Sequence, residues 1–355
     1  MRIVSPLLKT VVYPALSRIG AFHFGSDAGL AVITYHGVIP PGYKSIDAAF
    51  DGNLISAATL RRQIQLLKKQ YCLVSPEQVL AFLENGQKLP SRAVLLTCDD
   101  GLLNCVIDML PVLQGEDAKC LFFVTGASAR EMRTMLWYEE LFLILLRARS
   151  GPFRASCDEF TLEDSLGTPE QRRAAWWRCV RLLSQVGPDV RATIFCKLRD
   201  ELGCSLAKSN FENPVMCRRY GLMVSEELKQ LVSAGMTIGA HTVTHPILPL
   251  LDKEAAYQEI AQARTMLTAV LGVEVWAFAY PFGDPQSVSE EVVGTAEQAG
   301  YKAAFLNYGG GLGCNLPRYA LPRIHVTNQM RLAEFEAHVS GFYARLQNYR
   351  RTGSL

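Results

Sequence analysis

The sequence lacks a hydrophobic run long enough to span a bilayer, and the longest candidate, Leu141–Leu146, has the length of a buried helix segment. It also lacks the unbroken apolar core of a secretory signal, because Lys9, Pro14 and Arg18 interrupt the first apolar stretch. We therefore expect a cytoplasmic protein. Residues 1–29 are expected to be a helical segment. It either packs on the domain or lies peripherally on the inner membrane face, with Lys9 and Arg18 on its polar side.

Paired cysteines are also missing. The chain has ten cysteines but no CxxC spacing, which excludes a zinc ribbon and a thioredoxin-like motif. Several lie within apolar runs, as Cys120 does in KCLFFV. Buried free thiols in a reducing compartment explain this pattern better than a disulfide framework.

Strong charge of either sign is absent as well. The formal net charge is +2 and no basic block is dense, so nucleic acid is not expected as a partner. The chain is 49% hydrophobic, which is enough for a sizeable core and argues against a disordered chain.

What the sequence does contain is a series of short apolar runs separated by helical patterns. Continuous apolar runs are typical of strands buried on both faces, as in parallel sheets. The alternation predicts an α/β protein, with either an open sheet or a barrel. The predicted strands are Ala31–Tyr35, Ala93–Thr97, Cys120–Val124, Met236–Ala240, Val275–Tyr280, Ala303–Leu306 and Leu321–Val326.

One region departs from this alternation. Residues from about 127 to 222 contain helical patterns but no clear strand. No Pro/Gly/Ser-rich linker isolates them, so we predict a helical insertion between two core strands, of the kind that often covers an active-site mouth. Residues 329–355 are expected to form a C-terminal helix.

Three of the predicted strands end in polar clusters. They are followed by Asp99-Asp100-Gly101, by His241-Thr242-Val243-Thr244-His245, and by Tyr280-Pro281-Phe282-Gly283-Asp284. Because ligands bind at the C-terminal ends of parallel strands, these clusters are expected to converge.

The residue types in these clusters suit a metal site. His241 and His245 have i, i+4 spacing and can meet one ion on a helical turn, although two unrelated histidines would also give this pattern. Asp99 and Asp100 are costly to bury without a cation, although one could cap the following helix. Two histidines and one carboxylate form a triad with open positions, which leaves the other aspartate to act as a base.

At these residues the sequence resembles the polysaccharide deacetylase family with the NodB homology domain (carbohydrate esterase family 4). The segments TCDDG, HTVTH and AYPFG are similar to its three motifs, in the same order, and the resemblance covers roughly residues 30–328. It implies a distorted (β/α)₇ barrel in which Asp100, His241 and His245 hold a divalent metal, usually Zn²⁺, and Asp99 is the catalytic base. The implied reaction is hydrolysis of an N-acetyl group on an amino sugar.

Further roles follow from the resemblance. The segment Tyr280, Pro281, Phe282 and Gly283 would bind substrate, with the backbone N–H of Tyr280 or a neighbour holding the oxyanion. His325 is the candidate acid for the leaving amine, against the alternative of a structural histidine.

The sequence also departs from the family pattern. Ala279 occupies the position where the third motif often has an arginine that orients the base, and we hypothesise that Arg323 replaces it. Cys98 is interpreted as a core thiol. His36, after the first strand, either lines the pocket or is structural. The insertion residues Trp137, Tyr138, Trp176 and Trp177 either stack on sugar rings or belong to the core.

Two competing functions remain. A glycoside hydrolase needs two carboxylates separated across a cleft, which adjacent aspartates do not provide, and it would not explain HxxxH. A catalytically degenerate carbohydrate-binding protein would fit the missing arginine. The expected substrate is an N-acetylated sugar or oligosaccharide, free, lipid-linked or nucleotide-linked, used in exopolysaccharide or glycolipid synthesis.

Overall fold

A closed barrel of parallel strands forms the body of the protein, as seen in a computed structural model that describes residues 6–23, 29–48, 50–157, 160–203, 211–312 and 316–352. The described residues form ten strands, which are β1 Leu30–Tyr35, β2 Cys72–Leu73, β3 Ala93–Cys98, β4 Cys120–Val124, β5 Gly151–Cys157, β6 Phe160–Leu166, β7 Thr237–Ala240, β8 Ala277–Ala279, β9 Ala303–Gly309 and β10 Leu321–His325.

Seven of these strands close the barrel. Their order is β1-β10-β9-β8-β7-β4-β3, and β1 pairs in parallel with β3 from Leu30↔Ala93 to Tyr35↔Cys98. The two-residue β2 pairs with the start of β3 and was not among the predicted strands. The predicted (β/α)₇ barrel is therefore confirmed, and all seven predicted strands correspond to barrel strands.

The barrel is stable because both faces of its strands are buried. Every residue of β1 and β3 is buried, as continuous apolar runs require. Successive residues along each barrel strand contribute in turn to two different apolar clusters, as Leu30 and Ala31 do in β1. One, which includes Phe123 and Phe305, draws residues from strands all around the barrel and fills its interior. Gly239 on β7 makes room for the Phe123 ring, because a Cβ there would lie 2.6 Å from that ring.

Helices pack around the barrel. Their starts follow the expected capping chemistry: Ser75 forms a capping box, and Asp252 caps a helix that ends at Gly272 in the left-handed conformation. The helices are α1 Tyr13–Arg18, α2 Ala57–Gln70, α3 Pro76–Asn85, α4 Leu110–Gly115, α5 Trp137–Arg147, α6 Pro169–Leu183, α7 Pro188–Leu202, α8 Pro214–Tyr220, α9 Ser225–Ser233, α10 Lys253–Leu271, α11 Glu290–Gln298, α12 Leu332–Val339 and α13 Phe342–Thr352.

The insertion between β4 and β7 is not purely helical. It contains α5 to α8 and an antiparallel hairpin of β5 and β6, so the expectation of no strand in 127–222 was wrong. The hairpin buries Phe153, Ala155, Leu162 and Leu166 against the insertion's own apolar cluster. Its alternation is partly obscured in the sequence by charged residues on the outer face.

The N-terminal segment packs on the C-terminal helices. Tyr13 and Phe22 form a small buried cluster with Phe342, and Lys9 Nζ lies 2.8 Å from Glu334 Oε1. This arrangement corresponds to the packed-helix alternative, and nothing in it supports the predicted membrane contact. Residues 1–5 and 24–28 of this segment lie outside the described ranges. Among the helices described, none combines the length and apolarity needed to cross a bilayer.

Candidate metal centre and its pocket

The three polar clusters converge at the C-terminal ends of the barrel strands. They border a cavity of about 540 Å³ that the insertion covers on one side. The lining includes His36, Asp99, Asp100, Tyr138, Glu139, Trp176, Trp177, Arg219, His241, His245, Phe282, Asp284 and His325. This placement agrees with the rule that α/β folds bind ligands at this end of the strands.

Asp100, His241 and His245 form one compact group. Asp100 Oδ1 lies 3.7 Å from His241 Nε2 and 3.4 Å from His245 Nε2. One ligand atom from each residue lies within 4.8 Å of the others, and all three residues are buried. Burial alone would raise the pKa of Asp100, but its hydrogen bond to His245 and the nearby His36 hold that pKa below its usual range. The group has the donor set of a two-histidine, one-carboxylate metal site.

The His241 ring is oriented so that its Nε2 faces Asp100 and its Nδ1 contacts the backbone. Its Nδ1 lies 2.7 Å from the carbonyl oxygen of Ala279, so the N–H is assigned to Nδ1 and the lone pair to Nε2, which faces Asp100. Burial lowers the pKa of His241 to about 4. The ring is therefore neutral at pH 7, as a metal ligand must be.

The loop between the two histidines is held by Glu259 on α10. Its Oε2 accepts hydrogen bonds from the N–H groups of Val243 (2.9 Å) and Thr244 (2.8 Å), and its Oε1 accepts from the Thr244 hydroxyl (2.6 Å). Within the loop, Thr242 Oγ1 accepts from the N–H of His245 at 3.0 Å. These bonds hold the backbone of the loop that carries His245.

Four site residues have left-handed backbone conformations. Asp100 (φ 74°), Thr242 (φ 62°), His245 (φ 60°) and Phe282 (φ 60°) are among six non-glycine residues with positive φ in the described ranges. This conformation is uncommon for non-glycine residues and unusual for a β-branched one such as Thr242. Backbone strain of this kind clusters at functional sites.

Asp99 is held by Arg323, as the sequence hypothesis placed it. Arg323 Nη1 and Nη2 donate to Asp99 Oδ1 and Oδ2 at 2.7 and 2.6 Å, and Nε donates to the Leu306 carbonyl at 2.6 Å. Both side chains are buried. Burial alone would raise the pKa of Asp99, but the Arg323 charge, with His241, outweighs it and holds that pKa below its usual range. Asp99 is therefore ionised at neutral pH.

The cluster from Tyr280 to Asp284 was expected to bind substrate and the oxyanion, and the structure differs from this expectation in detail. The N–H of Tyr280 donates to the Phe305 carbonyl at 3.1 Å, so it is not available to an oxyanion. The Tyr280 hydroxyl donates to the Tyr319 carbonyl, and Gly283 N–H donates back to Pro281 within the turn. Of the four predicted residues, only Phe282 lines the cavity.

His36 and His325 lie together on another wall of the cavity. Their ring centroids are 4.9 Å apart. His325 Nε2 is buried and has no hydrogen-bond partner among the described residues. Burial, with a further effect from His36, lowers the pKa of His325 to about 3, so its ring is neutral at pH 7. It must gain a proton at the site before it can donate one.

Glu139 was not among the site residues predicted from the sequence. This residue of α5 lines the cavity, its Oε1 accepts from Arg219 Nη1 at 2.8 Å, and its Oε2 is buried without a partner in the described part of the chain. Burial raises its pKa to about 7 despite the nearby Arg219. A glutamate in the first turn of a helix normally faces solvent, so the sequence carried no signal for this burial.

The remaining predicted residues divide between pocket and core. Tyr138, Trp176 and Trp177 line the cavity, whereas Trp137 lies outside it and donates from Nε1 to the His245 carbonyl at 3.2 Å. Cys98 is buried with its sulfur 3.6 Å from that of Cys105, as predicted for a core thiol. Seven of the eight described cysteines, all except Cys157, are free thiols; Cys204 and Cys314 lie outside the described residues.

Comparison with known proteins gives a consistent result. The family model described as "Polysaccharide deacetylase" matches residues 168–304, which include His241, His245 and Phe282 but not Asp99 or Asp100. The chain is 25% identical over 117 residues to the putative polysaccharide deacetylase YxkH of Bacillus subtilis. That match covers 33% of this chain and 41% of the relative, so it spans less than half of the relative's length.

Solved structures share the fold. The Streptococcus pyogenes deacetylase PplD, in complex with acetate, matches with a TM-score of 0.54 and 17% identity over 88% of this chain and 99% of that one. IcaB from Ammonifex degensii matches with a TM-score of 0.54 and 18% identity over 88% and 97% of the two chains. With the barrel and the motif positions described above, these matches confirm the resemblance that the sequence suggested: the chain has the fold of these deacetylases, and residues 168–304 match the polysaccharide deacetylase family model.

Proposed function

We propose that this protein is a metal-dependent hydrolase that removes N-acetyl groups from amino sugars of a polysaccharide or glycan precursor. The observation that carries the proposal is the Asp100, His241 and His245 group beside an ionised Asp99 that Arg323 holds in place. A metal site and a fixed carboxylate next to it are what amide hydrolysis by an activated water requires.

The donor set fits a divalent ion, and we propose Zn²⁺. Two imidazole nitrogens and one carboxylate oxygen provide three protein ligands, which is the usual number in catalytic zinc sites. The Ala279 carbonyl contacts Nδ1 of His241, and such a contact to the other ring nitrogen sets the tautomer of a metal-binding histidine. A bound ion would lower the pKa of water at its open position and polarise the acetyl carbonyl.

The chain's own residues supply the remaining steps. Asp99 accepts the proton of the attacking water, and Arg323 keeps it ionised and oriented. We assign the oxyanion donor to the backbone N–H of Phe282, which is absent from the backbone hydrogen bonds of the described residues and belongs to a residue lining the cavity. His325 is the proposed acid for the leaving amine. Glu139 is the second candidate, because its raised pKa keeps much of it protonated near pH 7.

The substrate proposal rests on the cavity walls. Tyr138, Trp176, Trp177 and Phe282 provide aromatic faces on which an apolar sugar face can pack. We propose an N-acetylated sugar or oligosaccharide, free, lipid-linked or nucleotide-linked, used in exopolysaccharide or glycolipid synthesis by a cytoplasmic enzyme. Cell fractionation with an antibody to the native chain tests the location.

The alternative of a catalytically degenerate carbohydrate-binding protein was supported by Ala279, because the family often has at that position an arginine that orients the catalytic aspartate. The bidentate contact from Arg323 to Asp99 removes that support. The glycoside hydrolase alternative is disfavoured because Asp99 is fully engaged by Arg323 and Asp100 by the two histidines.

The test is acetate release from N-acetylated glucosamine oligosaccharides by chelator-stripped protein, with and without added Zn²⁺. Asp99→Asn and His241→Ala are assayed in parallel, with exposed Asp189→Asn as the matched control. We expect zinc-dependent release that both site variants lose and the control keeps. Stoichiometric zinc binding without acetate release would refute the substrate class, and an absence of metal binding would refute the metal site.

A further inference from the structure

A second cavity lies on the other side of the histidine loop. It has a volume of about 400 Å³ and is enclosed by α5 and α7 of the insertion and by Thr125, Val243 and Thr244 at the barrel end. Its lining residues do not overlap with those of the metal-site cavity. The two cavities are thus separate spaces that share the loop carrying His241 and His245.

Arg191 is the most unusual residue of this second cavity. It is only 5% exposed, its guanidinium lies 4.9 Å from the centre of the Trp137 ring, and Nη2 donates to Thr244 Oγ1 at 2.8 Å. Its Nη1 is buried and has no partner among the described residues. A buried cation without a carboxylate is costly unless an anion accompanies it.

The charge around Arg191 is positive. Arg130 and Arg199 also line the cavity, and Glu140 is its one acidic lining residue within the described ranges. Glu140 pairs with Arg199, so no carboxylate among the described lining residues is left for Arg191 and Arg130. Glu259 acts on Arg191 from outside the lining, through the Thr244 hydroxyl that both side chains contact. Arg199 Nε is a second buried donor without a partner in the described part of the chain.

The rest of the wall is largely apolar. Leu136, Trp137, Phe195 and Leu222 contribute hydrocarbon and aromatic surface beside the guanidinium groups. A ligand that satisfies both surfaces has an oxyanion at one end and a short apolar portion at the other. Arginine is well suited to such an oxyanion because its planar fork matches carboxylate and phosphate oxygens.

We propose that this cavity is a second ligand site, which binds a small amphipathic molecule through a phosphate or carboxylate group held by Arg191. Because Arg191 also donates to Thr244, the ligand contacts the same hydrogen-bond chain, through Glu259, that holds the histidine loop. The site is independent of the proposed hydrolysis and does not require a metal.

Binding is measured by calorimetry and by tryptophan fluorescence, since Trp137 packs against Arg191. The probes are hexyl phosphate, hexanoate, inorganic phosphate and neutral hexanol. The variants are Arg191→Met, which removes the charge, and Ala192→Trp, which fills the cavity from an exposed lining position. Exposed Arg181→Met is the matched control, and His241→Ala separates this cavity from the metal site.

We expect saturable binding of hexyl phosphate or hexanoate that weakens at least tenfold in Arg191→Met and in Ala192→Trp. Binding should be unchanged in Arg181→Met and retained in His241→Ala. Stronger binding of hexyl phosphate than of hexanoate identifies phosphate esters as the preferred class, and the reverse identifies carboxylates. The proposal is overturned if neither anion binds, if hexanol binds equally well, if both cavity variants bind like the control, or if His241→Ala abolishes binding.

Discussion

Replacing Arg323 by methionine tests the central electrostatic contact of the site. Arg323 is fully buried, and both of its terminal nitrogens donate to the two carboxylate oxygens of Asp99. Methionine keeps much of the side-chain volume but removes every donor. Asp99 would remain as a buried carboxylate without its partner, and the Leu306 carbonyl would lose the bond from Nε.

The expected loss of stability follows from this geometry. Breaking a buried ion pair by removing one partner costs about 3–5 kcal/mol. In the native protein the pKa of Asp99 is lowered, so its stabilisation is present above the unfolded-state pKa of about 3.9 and is lost as pH falls through the lower folded-state value. Without Arg323, burial raises the pKa of Asp99 instead. The deficit of the variant should therefore be larger at pH 7.5 than at pH 5.

The assay is urea unfolding of chelator-stripped protein at pH 5 and pH 7.5, together with the pH profile of kcat/KM for the zinc-loaded enzyme. We expect the acidic limb of that profile to move to higher pH and kcat/KM to fall by about 10²-fold or more, the contribution of a general base. Arg181→Met controls for the loss of an exposed arginine, and Arg323→Lys should restore part of the stability through one bond. A variant as stable as the native protein, with an unshifted profile, would refute the reasoning.

Three further predictions concern residues around the site. Because burial raises the pKa of Glu139 from 4.5 to about 7, native stability should fall by up to roughly 3 kcal/mol as pH rises between these values. Urea titrations of Glu139→Gln should lack that fall, and an unchanged pH dependence contradicts the assignment. Glu259→Ala should weaken zinc binding about 10–100-fold in a competition titration, because it frees the histidine loop, whereas exposed Glu254→Ala should bind like the native protein. His325→Gln should lower kcat by about 10²–10⁴-fold without changing zinc content, whereas an unchanged kcat would transfer the acid role to Glu139.

The barrel strands could be predicted because their apolar residues form an easily recognised pattern. Strands buried on both faces consist of continuous apolar residues, as in Ala93–Cys98, and polar clusters directly after such runs stand out. Asp100, His241 and His245 were identified in this way as candidate metal ligands. The contact from Arg323 to Asp99 was only a hypothesis, because it joins a β10 side chain to a residue that follows β3 and lies 224 positions earlier in the chain. In the closed barrel only β1 separates these two strands.

The insertion was harder to predict. Its hairpin is an antiparallel pair with one solvent face, so exposed Arg154 and Glu163 interrupt the apolar pattern. Glu139 was missed because its burial results from the packing of α5 over the barrel mouth and from its pairing with Arg219. The N–H of Tyr280 was misassigned because sequence position does not show which strand neighbour takes a backbone donor.

The left-handed backbone at Thr242 has a consequence for how this protein can change. Glycine or asparagine there would relax the backbone, but either would alter or remove the hydroxyl contact that receives the His245 N–H. The relaxed backbone would offset part of the folding energy lost with that hydrogen bond, whereas the position of His245, a candidate metal ligand, would no longer be held by it. A selection for thermal stability alone would therefore accept such replacements. Variants from that selection would keep the barrel but lose the arrangement of residues on which the proposed activity depends.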